Sequence, residues 1–296
     1  MNIIQIFKKF PDQKSCIDHL ESVRWANGVT CPYCGSENNY PRTSDLRHHC
    51  NSCQKSFSVT IGTLFHDTRI PLQKWFLAIS LILNAKKGIS ARQLARDLEV
   101  NKDTAWRMAM KIRESMKSDG ELLTGVIEMD ETYVGGKPRK TAKKDDDNNS
   151  GSPRGRGTKK TPVVGMVSRG GDVKAKKVEK SMLKSKDLNQ LIRKNVNPIG
   201  SVLVTDEYRG YSRVSKILKH YTVNHQFEYA NGEIHTNTIE SFWALLKRGI
   251  IGQFHKVSAK YLDKYIDEFC FRYNKRNSDS SSVFNLSVGL MLKARA

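Results

Sequence analysis

Apolar residues follow different rhythms in the two halves of the chain. Over residues 72–83 they are nearly continuous, Pro71 suits the first turn of a helix there, and Gly88 breaks the run. Ala91, Leu94, Ala95 and Leu98 then recur at three and four residues, one face of a short helix. Ser90, with Gln93 three places on, marks its start as a capping box would. Glu99-Val100-Asn101 reads as a tight turn, and a further helix follows with Ala105, Ala109, Ile112 and Met116 facing inward. Beyond residue 124 the rhythm shortens. Residues 125–130, 161–168 and 173–178 read as three successive strands. A helix (186–195), a strand (201–205), a short helix (211–218), a strand (221–225), a loop with Asn231-Gly232 and a helix (238–248) come next. A last amphipathic helix, 259–276, carries Leu262, Tyr265, Ile266, Phe269 and Tyr273 on one face. Three meandering strands followed by alternating elements predict an α/β (α+β) fold, a mixed sheet with helices on its faces.

Charge changes what the first helices suggest. Lys and Arg number 50 against 30 Asp and Glu, a net charge of +20, and the sequence pI is about 9.7. That surplus points to a polyanionic partner, most simply nucleic acid, although it also suits solubility or anionic lipid. A short helix, a tight turn and a basic helix form the helix-turn-helix pattern, with Lys102, Arg107 and Lys111 on the outer face to meet DNA phosphates. An ordinary three-helix bundle would share the apolar pattern but would not require those cations. No stretch reaches membrane-spanning length, and the reading is a soluble, cytoplasmic protein without membrane contact.

Four of the six cysteines form two CxxC pairs, Cys31-Pro-Tyr-Cys34 and Cys50-Asn-Ser-Cys53, with fifteen residues between them. That spacing suits four thiolates around one structural zinc, and no signal peptide precedes it to suggest disulfides. Phe57, Val59 and Thr60 suit the short strands of a zinc ribbon. Cys16 and Cys270 have no partner pattern and read as buried thiols. The organisation is therefore a helical lead-in (1–28), a zinc ribbon (29–65), a helix-turn-helix domain (70–118), a catalytic domain (124–276) and a C-terminal tail (277–296). Residues 137–160 carry nine basic and three acidic residues among Gly, Ser and Asn. They read as a flexible basic insertion, either ordered by DNA or simply solvated.

Two strands end on carboxylates: Asp130 closes the first and Asp206 the fourth. A carboxylate at that place sits by the opening where sheets bind ligands, although a lone Asp there is also a common turn residue or cap. Glu240 lies on the 238–248 helix with Lys247 two turns further along the same stripe. Ile239, Phe242, Leu246 and Ile250 form a second stripe, expected to pack on the sheet and let Glu240 lean toward the aspartates. Three converging carboxylates would repel unless divalent cations, Mg²⁺ or Mn²⁺ by ligand hardness, lay between them. Such ions suit phosphodiester chemistry.

The segment Glu128-Met-Asp-Glu-Thr-Tyr-Val-Gly-Gly136, the turn Thr205-Asp-Glu-Tyr-Arg-Gly-Tyr211 and the helix His235-Thr-Asn-Thr-Ile-Glu-Ser-Phe-Trp-Ala-Leu-Leu-Lys-Arg248 resemble bacterial insertion-sequence transposases of the DDE type. The group they are similar to is the IS1595 group, whose catalytic part is called ISXO2-like. The CxxC pairs sit where that group carries its ribbon, so the resemblance covers nearly the whole chain. It implies a ribonuclease H-like catalytic domain, with Asp130, Asp206 and Glu240 as the metal-holding triad. Asn237 is the competitor for the third position, and Glu240 fits better because Lys247 follows seven residues on. Lys247 and Arg248 would meet DNA phosphate. Glu128, Glu131 and Glu207 would stand beside the ligands or face solvent. The implied function is metal-dependent cleavage and strand transfer at the terminal inverted repeats of an insertion sequence. Its partners would be transposon ends, target DNA and further copies of the chain assembled on DNA in the bacterial nucleoid. A DNA-binding regulator with an inactive catalytic domain, or a structure-specific nuclease of the same fold, shares these features.

Overall fold

Side-chain caps set most helix starts in the first 116 residues. In the computed structural model, which describes residues 1–117, 120–135, 160–223 and 235–294, α1 (Ile3–Lys9) begins at Asn2 and α2 (Gln13–Arg24) at Asp12, each with a reciprocal capping box. The apolar run forms α3 (Leu72–Asn84). The next helix is α4 (Ala91–Leu98), where half of the expected capping box forms. Ser90 accepts from Gln93 N, but the Gln93 side chain turns to Asp97 and Arg96. Glu99 takes the left-handed conformation (φ 50°) that ends a helix tightly, and Asn101 caps α5 (Lys102–Ser115). Ala105, Ala109, Ile112 and Met116 are all buried as expected.

Residues 1–116 and 277–296 form one unit, and residues 117–276 a second. The stretch expected as a tail holds α9 (Ser280–Lys293), capped by Asp279 and packed into the first unit. Its Phe284 lies 5.5 Å from Phe76 and 6.1 Å from Phe10, ring centre to centre. The ribbon is an antiparallel sheet of β1 (Asn39–Arg42), β2 (Arg47–Cys50) and β3 (Ser56–Phe57). Val59 and Thr60 fall in the following turn rather than in a strand.

In the second unit, β4 (Val126–Val134), β5 (Thr161–Ser168) and β6 (Val173–Lys177) are the expected antiparallel meander. β7 (Val202–Asp206) and β8 (Lys219–Val223) add parallel to β4, giving the order β6-β5-β4-β7-β8. The mixed sheet is thus as expected, although β8 begins two residues early, and the expected 211–218 helix is a pair of 3-10 turns at Arg209–Tyr211 and Val214–Lys216. On one face, Ile127, Met129, Val164 and Met166 pack with Leu188 and Ile192 of α6 (Ser185–Asn195). On the other, Val163 and Val167 meet α7 (Asn237–Gly249) and α8 (Leu262–Asn274). Ile239, Phe242, Leu246 and Ile250 are the buried stripe of α7 and its continuation into a π turn, Ile250–Phe254. The basic insertion, apart from Lys160, and the loop with Asn231-Gly232 lie outside the described residues. Among the described residues no helix is long and apolar enough to cross a membrane.

Candidate active site and metal centre

Strand alternation sends Glu128, Asp130, Thr132 and Val134 of β4 toward the α7 face. The parallel register pairs Glu128 with Val204 as its last pair; beyond it, Asp130, midway along β4, and Asp206, the last residue of β7, are near enough for the charge of Asp206 to add to the burial that raises the Asp130 carboxyl. Asp206 Oδ1 accepts from Tyr208 N at 3.1 Å, which turns the chain away from the sheet. α7 crosses this face with Glu240, Trp243 and Lys247 on one stripe. Glu240 is solvent-exposed and accepts from the Thr236 hydroxyl at 3.1 Å. Asn237, the competing third residue, is also exposed, on the first turn of α7.

Trp243 was not expected at the site. Its indole Nε1–H donates to Asp130 Oδ2 at 3.0 Å. The ring lies over Gly165, the residue opposite Asp130 in β5. A Cβ at Gly165 would stand 2.5 Å from Trp243 Cη2 and 2.7 Å from Cζ2. Gly165→Ala should therefore displace the indole, pull its donor off Asp130 and lower stability by about 1–3 kcal/mol, the scale of overpacking. The urea midpoint of purified variant and parent checks this, and an unchanged midpoint would show that α7 yields freely.

The electrostatics fit a cation-holding site. Burial, then the neighbouring charges of Glu131 and Asp206, push the Asp130 carboxyl up to about 7. Partial desolvation draws Lys247 below the usual lysine range, while Asp130 and Glu240 both pull it back. Lys247 therefore feels both carboxylates. Hard oxygen donors crowded with like charge suit Mg²⁺ or Mn²⁺. The expected convergence is nevertheless incomplete: among the described residues, the three acids do not form a group of ligand atoms within 4.8 Å of one another, whereas four cysteines do.

The neighbouring acids divide. Glu207 is exposed, and Glu131 accepts from the Tyr211 hydroxyl at 2.9 Å. Glu128, expected beside the ligands or in solvent, is fully buried. Of the expected DNA contacts, Lys102, Arg107, Lys247 and Arg248 are exposed. Lys111 departs from expectation: it is half-buried and its Nζ donates to the Leu64 carbonyl at 2.9 Å.

The four cysteines of the first unit sit on two similar knuckles. Gly35 N donates to the Cys31 carbonyl and Gln54 N to the Cys50 carbonyl, and Gly35 and Gln54 both turn through positive φ. The Sγ atoms of Cys31 and Cys53 are 3.7 Å apart and those of Cys34 and Cys50 3.6 Å. These match the edge of a zinc tetrathiolate tetrahedron, about 3.8 Å for Zn–S bonds of about 2.3 Å. Cys16 and Cys270 are buried thiols, and burial pushes each up to about 12.

Residues 122–274 match the family described as ISXO2-like transposase domain, and residues 11–56 the one described as transposase zinc-ribbon domain. The ribbon match begins just before α2, whose Glu21, with Trp25 at the helix C-cap, packs against His48. A Halobacterium salinarum protein described as an uncharacterized protein in transposable element ISH50 is 29% identical over 279 residues, 90% of this chain and 92% of that protein. The Mos1 transposase paired-end complex with left transposon end is 12% identical over 71% of this chain and 74% of that one, with a TM-score of 0.30. A pre-cleavage Mos1 transpososome is 12% identical over 73% and 75%, with a TM-score of 0.31.

Proposed function

This chain belongs to the family of ISXO2-like transposase domains, and on that footing we propose that it binds the terminal inverted repeats of an insertion sequence and catalyses metal-dependent DNA cleavage and strand transfer. The observation that supports the reading is electrostatic: Asp206 on the neighbouring strand adds to the burial that raises the Asp130 carboxyl, and Lys247 on α7 feels both Asp130 and Glu240. Asp130, Asp206 and Glu240 would hold Mg²⁺ or Mn²⁺. Bound there, the ions supply activation of a water or 3′-hydroxyl and stabilise the leaving oxygen. Trp243 fixes the Asp130 carboxylate. Lys247 meets a phosphate at the reacting strand, and Arg248 a phosphate further along. Lys102 and Arg107 of α5 contact the transposon end, where neutralised phosphates make affinity fall with salt. The work is done on nucleoid DNA, with copies of the chain assembled on the paired ends.

The test uses purified protein, Mg²⁺ and labelled DNA carrying the gene's own flanking repeats. Nicked 3′ ends and joined products are expected. Binding without cutting would favour the regulator, and cutting of branched DNA without joining the nuclease.

A further inference from the structure

The first turn of α7 is held by a side chain from another element. The first backbone N–H groups of a helix have no acceptor within it, and a Ser, Thr, Asp or Asn just before the helix ordinarily supplies one. Thr236 occupies that place, yet it makes no cap and its hydroxyl goes to Glu240. Glu128 of β4 takes over. Its Oε2 accepts from Thr238 N at 2.8 Å and Ile239 N at 3.0 Å. Its Oε1 accepts from the Thr238 hydroxyl at 2.9 Å and Arg169 Nε at 2.7 Å. His235 Nδ1 stands 3.3 Å from that oxygen, and Arg169 Nη2 donates to the His235 carbonyl at 2.8 Å. A carboxylate with 0% exposure is costly unless such donors and a countercharge surround it, and the positive end of a helix dipole adds to them.

We propose that Glu128 is the positioning residue for the third carboxylate. It ties the first turn of α7 to the strand that carries Asp130, so β4 places Asp130 directly and Glu240 through the helix. The inference rests on the reading of Asp130, Asp206 and Glu240 as ion-holding groups. Glu128 and Asp130 are two residues apart on one face of β4, and the two N–H groups that Glu128 holds belong to the residues immediately before Glu240. A shift at that clamp therefore reaches Glu240 within a single turn. Glu128 is not itself a ligand in this arrangement, because both of its oxygens are occupied and sealed from solvent. The competing role is a buried ion pair that only stabilises the fold.

Mn²⁺ binding to the full chain by calorimetry, metal-free thermal unfolding and end cleavage together separate the roles. Glu128→Gln keeps the shape but removes the charge facing Arg169 and leaves one acceptor oxygen where two served. It should weaken Mn²⁺ binding by about 10- to 100-fold, the scale for partners that orient ligands. Adding Glu240→Gln should then cost little more, because the third ligand is already displaced. Thr238→Val, which removes one donor and keeps the backbone, should shift Mn²⁺ affinity the same way by less, and serves if Glu128→Gln does not fold. Native Mn²⁺ affinity in these variants, or losses from Glu128→Gln and Glu240→Gln that simply multiply, would overturn the proposal and leave a stabilising ion pair. Asp130→Asn is the separate control: if it binds Mn²⁺ like the parent, the ion-holding reading itself fails and this inference with it.

Discussion

Asp130→Asn, Asp206→Asn and Glu240→Gln should each reduce end cleavage by roughly 10³-fold or more, the scale on which groups acting as a unit fail together. Binding of the repeat DNA should stay close to that of the parent. Each amide keeps the shape of its side chain and removes the charge that holds a cation. Pairs of these substitutions should cost little beyond the worst single one. Lys247→Ala should do less, because a phosphate contact is lost and no ligand is. The Asp130 value near 7 gives the reaction a pH sign. Ions bind the ionised form, so apparent Mg²⁺ affinity should rise with pH through about 7 and fall below it. In the metal-free protein the sign reverses: the folded state holds a proton that the unfolded chain has released, so this residue lowers stability as pH rises from its ordinary carboxylate value toward 7. Single-turnover cleavage of labelled ends across pH measures both rate and ion requirement. Normal cutting by all three variants would leave the DNA-binding regulator. A dead Asn237→Ala beside an active Glu240→Gln would move the third ligand to Asn237.

Local signals account for what was legible in the sequence. The α4–turn–α5 boundaries follow from Ser90, Glu99 and Asn101, each of which acts within a few residues of itself. The sheet follows from short apolar runs; Asp206 does end β7, but Asp130, expected to close its strand, lies midway along β4, because pairing with β5 carries that strand on to Val134. The stretch expected as a tail is instead α9, although its signals are local as well: Asp279 is an N-cap, and Phe284, Val288, Met291 and Leu292 recur at helical spacing. The unread features depend on distant partners. Nothing near Lys111 announces that the Leu64 carbonyl will take its ammonium. Glu128 differs from a solvent-facing acid only because α7, more than a hundred residues later, sets its first turn over it. Gly165 looks like a weak point in a strand until the Trp243 ring is placed against it.

Removing the ribbon's metal should undo residues 11–57 and leave the 117–276 unit folded. Structural zinc contributes about 10–16 kcal/mol in isolated fingers at neutral pH, comparable with the whole stability of a domain. Little in the ribbon could replace it. Its buried cluster is Cys31, Cys50 and Phe57, with Trp25, Val29, Cys53 and Ile61 partly covered around them. Two of the three central members would be ligands, so the metal and the core would be nearly the same object. The loss should spread into α2, because Glu21 bonds His48 at 2.9 Å and Arg24 donates to the Ile61 carbonyl at 2.8 Å. Acid should act like a chelator. Zinc is held by thiolates, so protons compete with the metal for the four sulfurs as pH falls. One zinc per chain is expected by metal analysis, and none after Cys31→Ser with Cys50→Ser. Hydrogen exchange of the full chain before and after chelation should show protection lost across residues 11–57 while β4, β5 and β7 keep theirs. Zinc-free protein with a protected ribbon would mean that these thiols pack as an ordinary core.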